Sequence, residues 1–365
     1  MILQELHVDG VRNLLDVTLR PHPRLTVLVG DNGQGKTNLL EAIHLAAALR
    51  PLRPLERAGE LVGFGRELGR IQARFDLDGP LDVVVCVEPR GRKATIGGKA
   101  VRDVAVLSSR LAVVSFVPDD AAMIRGGPSD RRSGLDRFAF ALFPHFAAAS
   151  RRFEEALAQR NRLLKEPIVD DDALAAFTPP FVSAAVELTR LRVEACARWA
   201  PVFVDEARAL GGDALAAELR YAAGVADGDV TGRSSADLEA ELELRLHRGR
   251  EIEKRKRSTL CGPQHDDVIL LKLGKKARFL ASQGEARALV LALKLASVRL
   301  LTHQRGQGPL LLLDDVAGEL DPGRAARLLQ SIDEHGAQAF VTTTHAQALP
   351  DLGASLVVPV VAGRL

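Results

Sequence analysis

Cysteine is nearly missing from this chain of 365 residues: Cys86, Cys196 and Cys261 are the whole set. They are odd in number, far apart and without CxxC spacing, which argues against a disulfide framework and against a zinc ribbon. Tyrosine and tryptophan occur once each, and with 13 phenylalanines the aromatic fraction is only 4%. Surfaces that grip bare single strands of nucleic acid need exposed stacking platforms, so a polyanionic partner, if there is one, is expected to be duplex or a junction held by charge. A dominant sign of charge is missing too. Lys and Arg number 49 against 47 Asp and Glu, leaving +2, so any polyanion must meet a local basic face. No run of about 18 apolar residues exists. The nearest candidate, 286-ARALVLALKLASVRL-300, is broken by Lys294 and Arg299. The opening MILQELHVDGVRN meets acid at Glu5 and Asp9 and has no apolar signal core, so the sequence reads as cytoplasmic with no membrane partner.

What remains is ordinary globular material, 47% hydrophobic and 26% charged, with length for two or three domains of about 150 residues. Segments 2–8, 15–20, 25–29, 71–77, 81–88 and 111–117 are rich in Val, Ile, Leu and Phe between Gly and Pro, and read as strands. One helix, about 36–49, opens directly after the strand 25–29. From 119 to 258 the pattern turns helical, most clearly at 146–165 and 181–210; 167-PIVDDD-172 and 178-TPP-180 look like an inter-helix turn with Asp caps. Strands near 266–273, 309–313, 338–342 and 355–361 then alternate with helices near 284–303 and 322–334. The expected fold is α/β, with one sheet domain built from residues 1–118 and 259–365 and a helical arm domain, 119–258, inserted into it.

The strongest motif is 30-GDNGQGKT-37, a GxxxxGK[ST] phosphate loop between a strand and a helix. Its glycines turn backbone N–H groups inward around an anion, and the helix adds its positive N-terminus. Lys36 would reach the β- and γ-phosphates and the Thr37 hydroxyl would ligate Mg²⁺. The second motif, 310-LLLLDD-315, combines a run suited to a strand buried on both faces with two carboxylates at its C-terminal end, where α/β folds place ligands. Asp314 suits a hard cation and Asp315 an attacking water; a strand ending in an Asp-rich turn is the plainer alternative. In the third, 282-SQGE-285, Ser282 and Glu285 form a capping box, while Ser282 and the Gly284 amide would also suit a phosphate.

Together with 319-ELD-321 and His345, these motifs resemble the ABC-type ATPase heads of the SMC and recombination-repair class. The stretches 8-VDGVRNL-14, 117-VPDDAAMIRGGPSDRRSGLD-136 and 262-GPQHDDV-268 narrow the resemblance to the RecF family. It implies an ATP-dependent DNA-binding ATPase of recombinational repair. An ATP-dependent homodimer would clamp duplex, gapped or junction DNA and support RecA loading with RecR and RecO. Carried onto matching positions, Gly30, Asp31, Asn32, Gly33, Gln34, Gly35, Lys36 and Thr37 would bind ATP and Mg²⁺, with Arg12 and Asn13 touching the nucleotide. Ser282, Gln283 and Gly284 would complete the site of a second protomer. Asp314 would serve the metal, Asp315 would stand for the catalytic glutamate of many relatives, and His345 resembles the switch histidine. The chain departs from the pattern in three places. An Asp follows the acidic strand, which suggests slow hydrolysis; no Gln stands within 111-LAVVSFVPDD-120; and Gln264 and His265 replace a His then an Arg.

Basic residues cluster at Arg131, Arg132, Arg137, Arg151 and Arg152, at 254-KRKR-257 and on the next hairpin at Lys272, Lys275, Lys276 and Arg278; the candidates for DNA are Arg131, Arg132, Arg151, Arg152, Lys254, Arg255, Lys256 and Arg257. Such runs are usually solvated faces; the resemblance implies that at least one of them meets DNA phosphates. The nucleotide-binding subunit of a membrane transporter would share the head motifs, and an SMC-like structural ATPase would need longer arms than this insertion offers.

Overall fold

Leu3, Leu6 and Val8 are all fully buried on β1 (Ile2–Asp9), although their spacing is not strictly alternate. A bulge between Leu3 and Glu5 restores the phase, so the apolar side chains share one face. The computed structural model describes every residue except 102–106, 108–109, 317–320 and 346–352. In the first of its two compact units β1 joins β2 (Val17–Leu19), β4 (Gly69–Asp76), β5 (Pro80–Glu88), β6 (Gly91–Ile96) and β7 (Lys99–Ala100) in an antiparallel sheet, ordered β2-β1-β4-β5-β6-β7. A second sheet is wholly parallel, in the order β14-β3-β13-β12-β8. Its strands are β3 (Leu25–Val29), β8 (Val113–Phe116), β12 (Leu310–Leu313), β13 (Gln338–Thr343) and β14 (Leu356–Pro359).

The helix Lys36–Ala48 contacts strands of both sheets, which explains why so much of its circumference is apolar. Leu39, Leu40 and Ile43 join Leu6, Phe75 and Val83 on one side and Leu312 and Phe340 on the other in a single core. The four leucines of β12 are fully buried, as a strand with both faces covered demands.

The second unit comprises Ala121–Val204 and Ala216–Ala281. Trp199, buried, stacks on Phe138 with centroids 4.8 Å apart, and Phe153 packs against Phe181. The expected turn at 178-TPP-180 is corrected: one helix, Asp171–Gly211, runs through Pro179, Pro180 and Pro201. Buried Phe181, Val182, Ala185 and Val186 follow the proline pair, and this packing outweighs a penalty of about 3 kcal/mol for an interior proline. The Thr178 hydroxyl also donates to the Leu174 carbonyl at 2.8 Å. The break at 167–172 is present, and Asp170 caps the long helix by accepting from the amides of Asp172 and Ala173.

A strand unmarked in the helical stretch, β9 (Ala217–Ala222), pairs with β10 (Asp267–Lys272), which in turn pairs with β11 (Lys275–Lys276). This pairing carries the second unit past residue 258 to Ala281. Residues Asp205–Leu215 count with the first unit, where His335 Nε2 lies 3.0 Å from Glu206 and Arg327 donates to the Leu210 carbonyl.

The loop 262-GPQHDD-267 has a structural use inside the second unit. Arg192 donates to both carboxyl oxygens of Asp136, to the Pro263 carbonyl and to Asp266, each at 2.8 Å. Asp266, fully buried, also accepts from the Tyr221 hydroxyl and the Gly224 amide. Burial pushes its carboxyl upward, opposed by the charge of Arg192 and the Tyr221 hydrogen bond. Arg192→Met should strand Asp266 and lower stability by about 3–5 kcal/mol, measured by urea unfolding followed through the single tryptophan. A loss below about 1 kcal/mol would show that the network contributes no more than an exposed pair.

Candidate active site

The parallel sheet presents its ligand end where β3, β12 and β13 stop. Residues 30–37 turn from β3 into the helix Lys36–Ala48, with Gly33 at φ 82° and Gly35 at φ 109°. A side chain at Gly35 would be strained by that backbone and would also meet Asn13 Oδ1 at 2.8 Å. Asp31, Asn32 and Gly33 are exposed, while Lys36 is buried with Nζ donating to the carbonyls of Gly30 at 2.6 Å and Asp31 at 2.9 Å. Gln34 is fixed from two sides. Its carbonyl accepts from Asn13 Nδ2 at 3.3 Å and from the Gly363 amide at 2.7 Å, and its side-chain oxygen accepts from the Ala362 amide at 2.6 Å.

Asp314 follows β12 and is 2% exposed. Its Oδ1 accepts from the hydroxyls of Thr37 at 2.8 Å and Thr342 at 2.9 Å, and its Oδ2 from Arg53 Nη2 at 2.6 Å. The Thr342 hydroxyl accepts in turn from the Asp315 amide at 2.8 Å. Asp315 takes φ 56°, and its carboxylate has no protein partner among the described residues. The structure thus joins Thr37 to Asp314 and sets Asp315 beside them. Arg53 and Thr342 were not singled out from the sequence. Thr342 lies in 341-VTTT-344, where no motif marks a role, and nothing in 51-PLRPLERAG-59 marks Arg53.

The other candidates are placed as follows. Arg12 donates to Glu41 at 3.1 Å, and Asn13 accepts from Asn38 at 2.8 Å besides holding Gln34, so both engage the protein around the loop. His345 is exposed, two residues past β13, with its amide donating to Thr343 Oγ1 at 3.2 Å. Ser282 forms the capping box, its hydroxyl accepting from the Glu285 amide at 3.3 Å and its amide donating to Glu285 at 2.8 Å. Ser282 and Gln283 are exposed, and among the described residues neither they nor Gly284 touch the phosphate loop of their own chain. Of 319-ELD-321, Glu319 and Leu320 lie outside the described residues. Asp321 caps the helix Pro322–His335, and the Arg324 amide holds its carboxyl below the usual range.

The basic candidates divide sharply. Arg131 is buried in a two-pronged pair with Asp267, at 2.7 and 3.0 Å, and this corrects its expected place on a DNA-facing surface. Arg132 donates to the Asp266 carbonyl at 2.7 Å, Arg152 pairs with Glu187 and Lys254 with Asp171 and Glu251. Arg151, Arg255, Lys256 and Arg257 are exposed. Among the described residues no group of three or more His, Cys, Asp or Glu could cage a metal, and no helix is long and apolar enough to cross a membrane.

A phosphate loop opening a helix between two sheets, with the acidic end of the buried strand β12, one strand removed from β3, on its Thr, defines an ABC-type ATPase head. The family model for the RecF/RecN/SMC N terminal domain matches residues 2–358. The DNA replication and repair protein RecF of Anaeromyxobacter sp. (strain K) is 43% identical over 351 residues, covering 94% of this chain and 92% of its own. Its namesake from Myxococcus xanthus (strain DK1622) is 39% identical over 94% of this chain and 91% of its own. The chain therefore belongs to the RecF family of DNA-repair ATPases. A solved structure of the recombination mediator protein RecF-ATPrS in the RecFOR pathway superposes with a TM-score of 0.88 at 26% identity, covering 99% of this chain and 96% of that one. An SMC head bound to the winged-helix domain of ScpA shares the fold, with a TM-score of 0.54 at 15% identity over 96% of this chain and 91% of that one.

Thr342→Val keeps the shape of the side chain but leaves Asp314 short of one donor and the Asp315 amide short of its acceptor. Thermal or denaturant unfolding should register a loss of about 1–3 kcal/mol. An unchanged midpoint would remove Thr342 from the network.

Proposed function

We propose that this chain binds ATP at Gly30–Thr37, hydrolyses it slowly, and uses ATP to join two copies into a clamp on DNA. The observation that carries the reading is the 2.8 Å contact between the Thr37 hydroxyl and Asp314, which ties the phosphate loop to the acidic strand end. The loop amides and Lys36 would hold the phosphate chain. Thr37 and Asp314 offer the hard oxygens that Mg²⁺ takes, and the lack of a protein cage among the described residues suits an ion that keeps waters and phosphate oxygens as its other ligands. Mg²⁺, when bound, would neutralise charge on the β- and γ-phosphates. Asp315, its carboxylate without a partner among the described residues, would orient the attacking water and accept its proton, and the shorter reach of Asp against Glu favours slow turnover.

The helix start at 282-SQG-284, with Ser282 and Gln283 exposed and no contact to its own loop among the described residues, supports completion of the site by a second copy. Within that reading the second unit is the DNA-facing arm. Arg151, Arg255, Lys256 and Arg257 are its accessible phosphate contacts, and His345 reports the γ-phosphate. In the cell the clamp would act in the cytoplasm at gapped or junction DNA, with RecR and RecO, in support of RecA loading.

Lys36→Met should abolish binding of a fluorescent ATP analogue in equilibrium titration, because the loop loses its positioned ammonium; unchanged affinity would remove Lys36 from the site. Sedimentation with a non-hydrolysable ATP analogue, with and without duplex DNA, tests the clamp. Dimers should form only with the analogue, and the fall of log K for DNA with log salt should steepen by roughly 0.9 per added phosphate contact. Ser282→Arg should keep monomeric analogue binding and lose both effects. Equal salt slopes with and without analogue would sink the clamp.

A further inference from the structure

Arg53 lies in the segment that follows the helix Lys36–Ala48, 261 positions before Asp314, and its position is unusual. Its side chain is 43% exposed, while its partner carboxylate, Asp314, is 4% exposed. One donor of the guanidinium, Nη2, meets Asp314 Oδ2 at 2.6 Å. Among the described residues this is the single ion pair that Asp314 makes, and its other oxygen is met only by the neutral hydroxyls of Thr37 and Thr342. A carboxylate so deeply buried needs a positive partner, and Arg53 supplies it. The same oxygens are the ones the nucleotide-site reading gives to the divalent cation. A guanidinium and a divalent ion on one carboxylate repel each other, so one must leave for the other to bind.

We propose that Arg53 is a displaceable counter-ion of Asp314, which keeps a divalent cation off this carboxylate until nucleotide brings its own negative charge. The inference rests on the nucleotide-site reading and adds an order of events to it: cation enters together with nucleotide, not ahead of it. The geometry suits displacement. Arg53 makes no other hydrogen bond or ion pair among the described residues, and its exposed side chain can swing into solvent at little cost. Asp314, by contrast, is fixed by two hydroxyls from two elements. Arg53 is therefore a positioning residue for the cation, acting through Asp314.

Mn²⁺ binding to the full-length chain without nucleotide, read from the loss of the free-ion electron paramagnetic resonance signal, tests this directly. The parent protein should bind Mn²⁺ weakly, and Arg53→Gln should bind it roughly tenfold or more tightly, the order expected when one positive charge is removed from a partly screened site. Arg53→Lys, which keeps the charge, should stay close to the parent. Asp314→Asn added to Arg53→Gln should erase the gain, which separates this site from adventitious Mn²⁺. With a non-hydrolysable ATP analogue present, the gap between parent and Arg53→Gln should close to within about threefold, because the two sites are linked through the same displaced charge. Melting curves establish that each variant is folded. Equal Mn²⁺ affinity in the folded parent and Arg53→Gln, or a gain that survives Asp314→Asn, overturns the proposal. Failure of the parent to bind the ATP analogue overturns the nucleotide-site reading instead, and the two failures are told apart in the same titrations.

Discussion

The parallel register of β3, β13 and β12 is the constraint on which the site depends. Leu313 pairs with Val341, so the next residues, Asp314 and Thr342, emerge side by side. Thr343 pairs with Val29, so the phosphate loop begins where β13 ends, and the Gly30 amide donates to the Thr343 carbonyl at 3.3 Å. A slip of one residue would turn Thr342 to the opposite face and leave Asp314 without a donor. The apolar runs of these strands hold that register. They are buried on both sides, and a shift would drag polar strand ends into the core.

The phosphate loop itself is braced by the two ends of the chain. Asn13, in the turn after β1, and Gly363, beyond β14, both bind the carbonyl of Gln34. The approach is close enough that a Cβ on Gly363 would lie 2.1 Å from the Asn13 carbonyl oxygen, and one on Gly30 would lie 2.3 Å from that of Val360. Glycine is required at both points because backbone meets backbone. The loop is thus held before any ligand arrives, which is what a site that works by positioning requires. Of the two residues that the resemblance gave to the nucleotide, Asn13 takes part in this bracing, while Arg12 pairs with Glu41 on the helix behind the loop.

The head was legible in the sequence because its signals are local: an apolar run, a glycine pattern, paired acids at a strand end. The strands Ile2–Asp9, Leu25–Val29 and Leu310–Leu313 and the helix Lys36–Ala48 stand within a residue or two of where those signals put them. What escaped depends on contacts distant in sequence. β9 carries too little alternation to stand out among helices and becomes a strand by pairing with β10. The proline pair at 179–180 signals a break, yet the apolar face that follows it keeps the helix intact. Arg53 reaches Asp314 across 261 positions of sequence, and no local pattern encodes such a contact.

The arginines of the second unit show why counting charge misreads function. Arg131, Arg160 and Arg192 are buried and bound to carboxylates, with Arg160 meeting Glu253 at 2.6 Å and Thr259 at 2.7 Å. Once ionised at any ordinary pH, such groups cannot be left alone inside a protein, so each fixes acids from distant segments and organises the fold. Of the eight basic residues singled out for DNA, this leaves Arg151, Arg255, Lys256 and Arg257 exposed without an acidic side-chain partner among the described residues. Four phosphate contacts from one copy would lose roughly a hundredfold in affinity between 50 and 200 mM salt, and eight from two copies would lose roughly the square of that while starting from a far tighter complex. The hairpin cations Lys275, Lys276 and Arg278 are exposed as well, so a copy's supply of phosphate contacts is not exhausted by these four. Under the proposed clamp, two copies joined by ATP would pool these contacts, and the salt slope of DNA binding would steepen with their number.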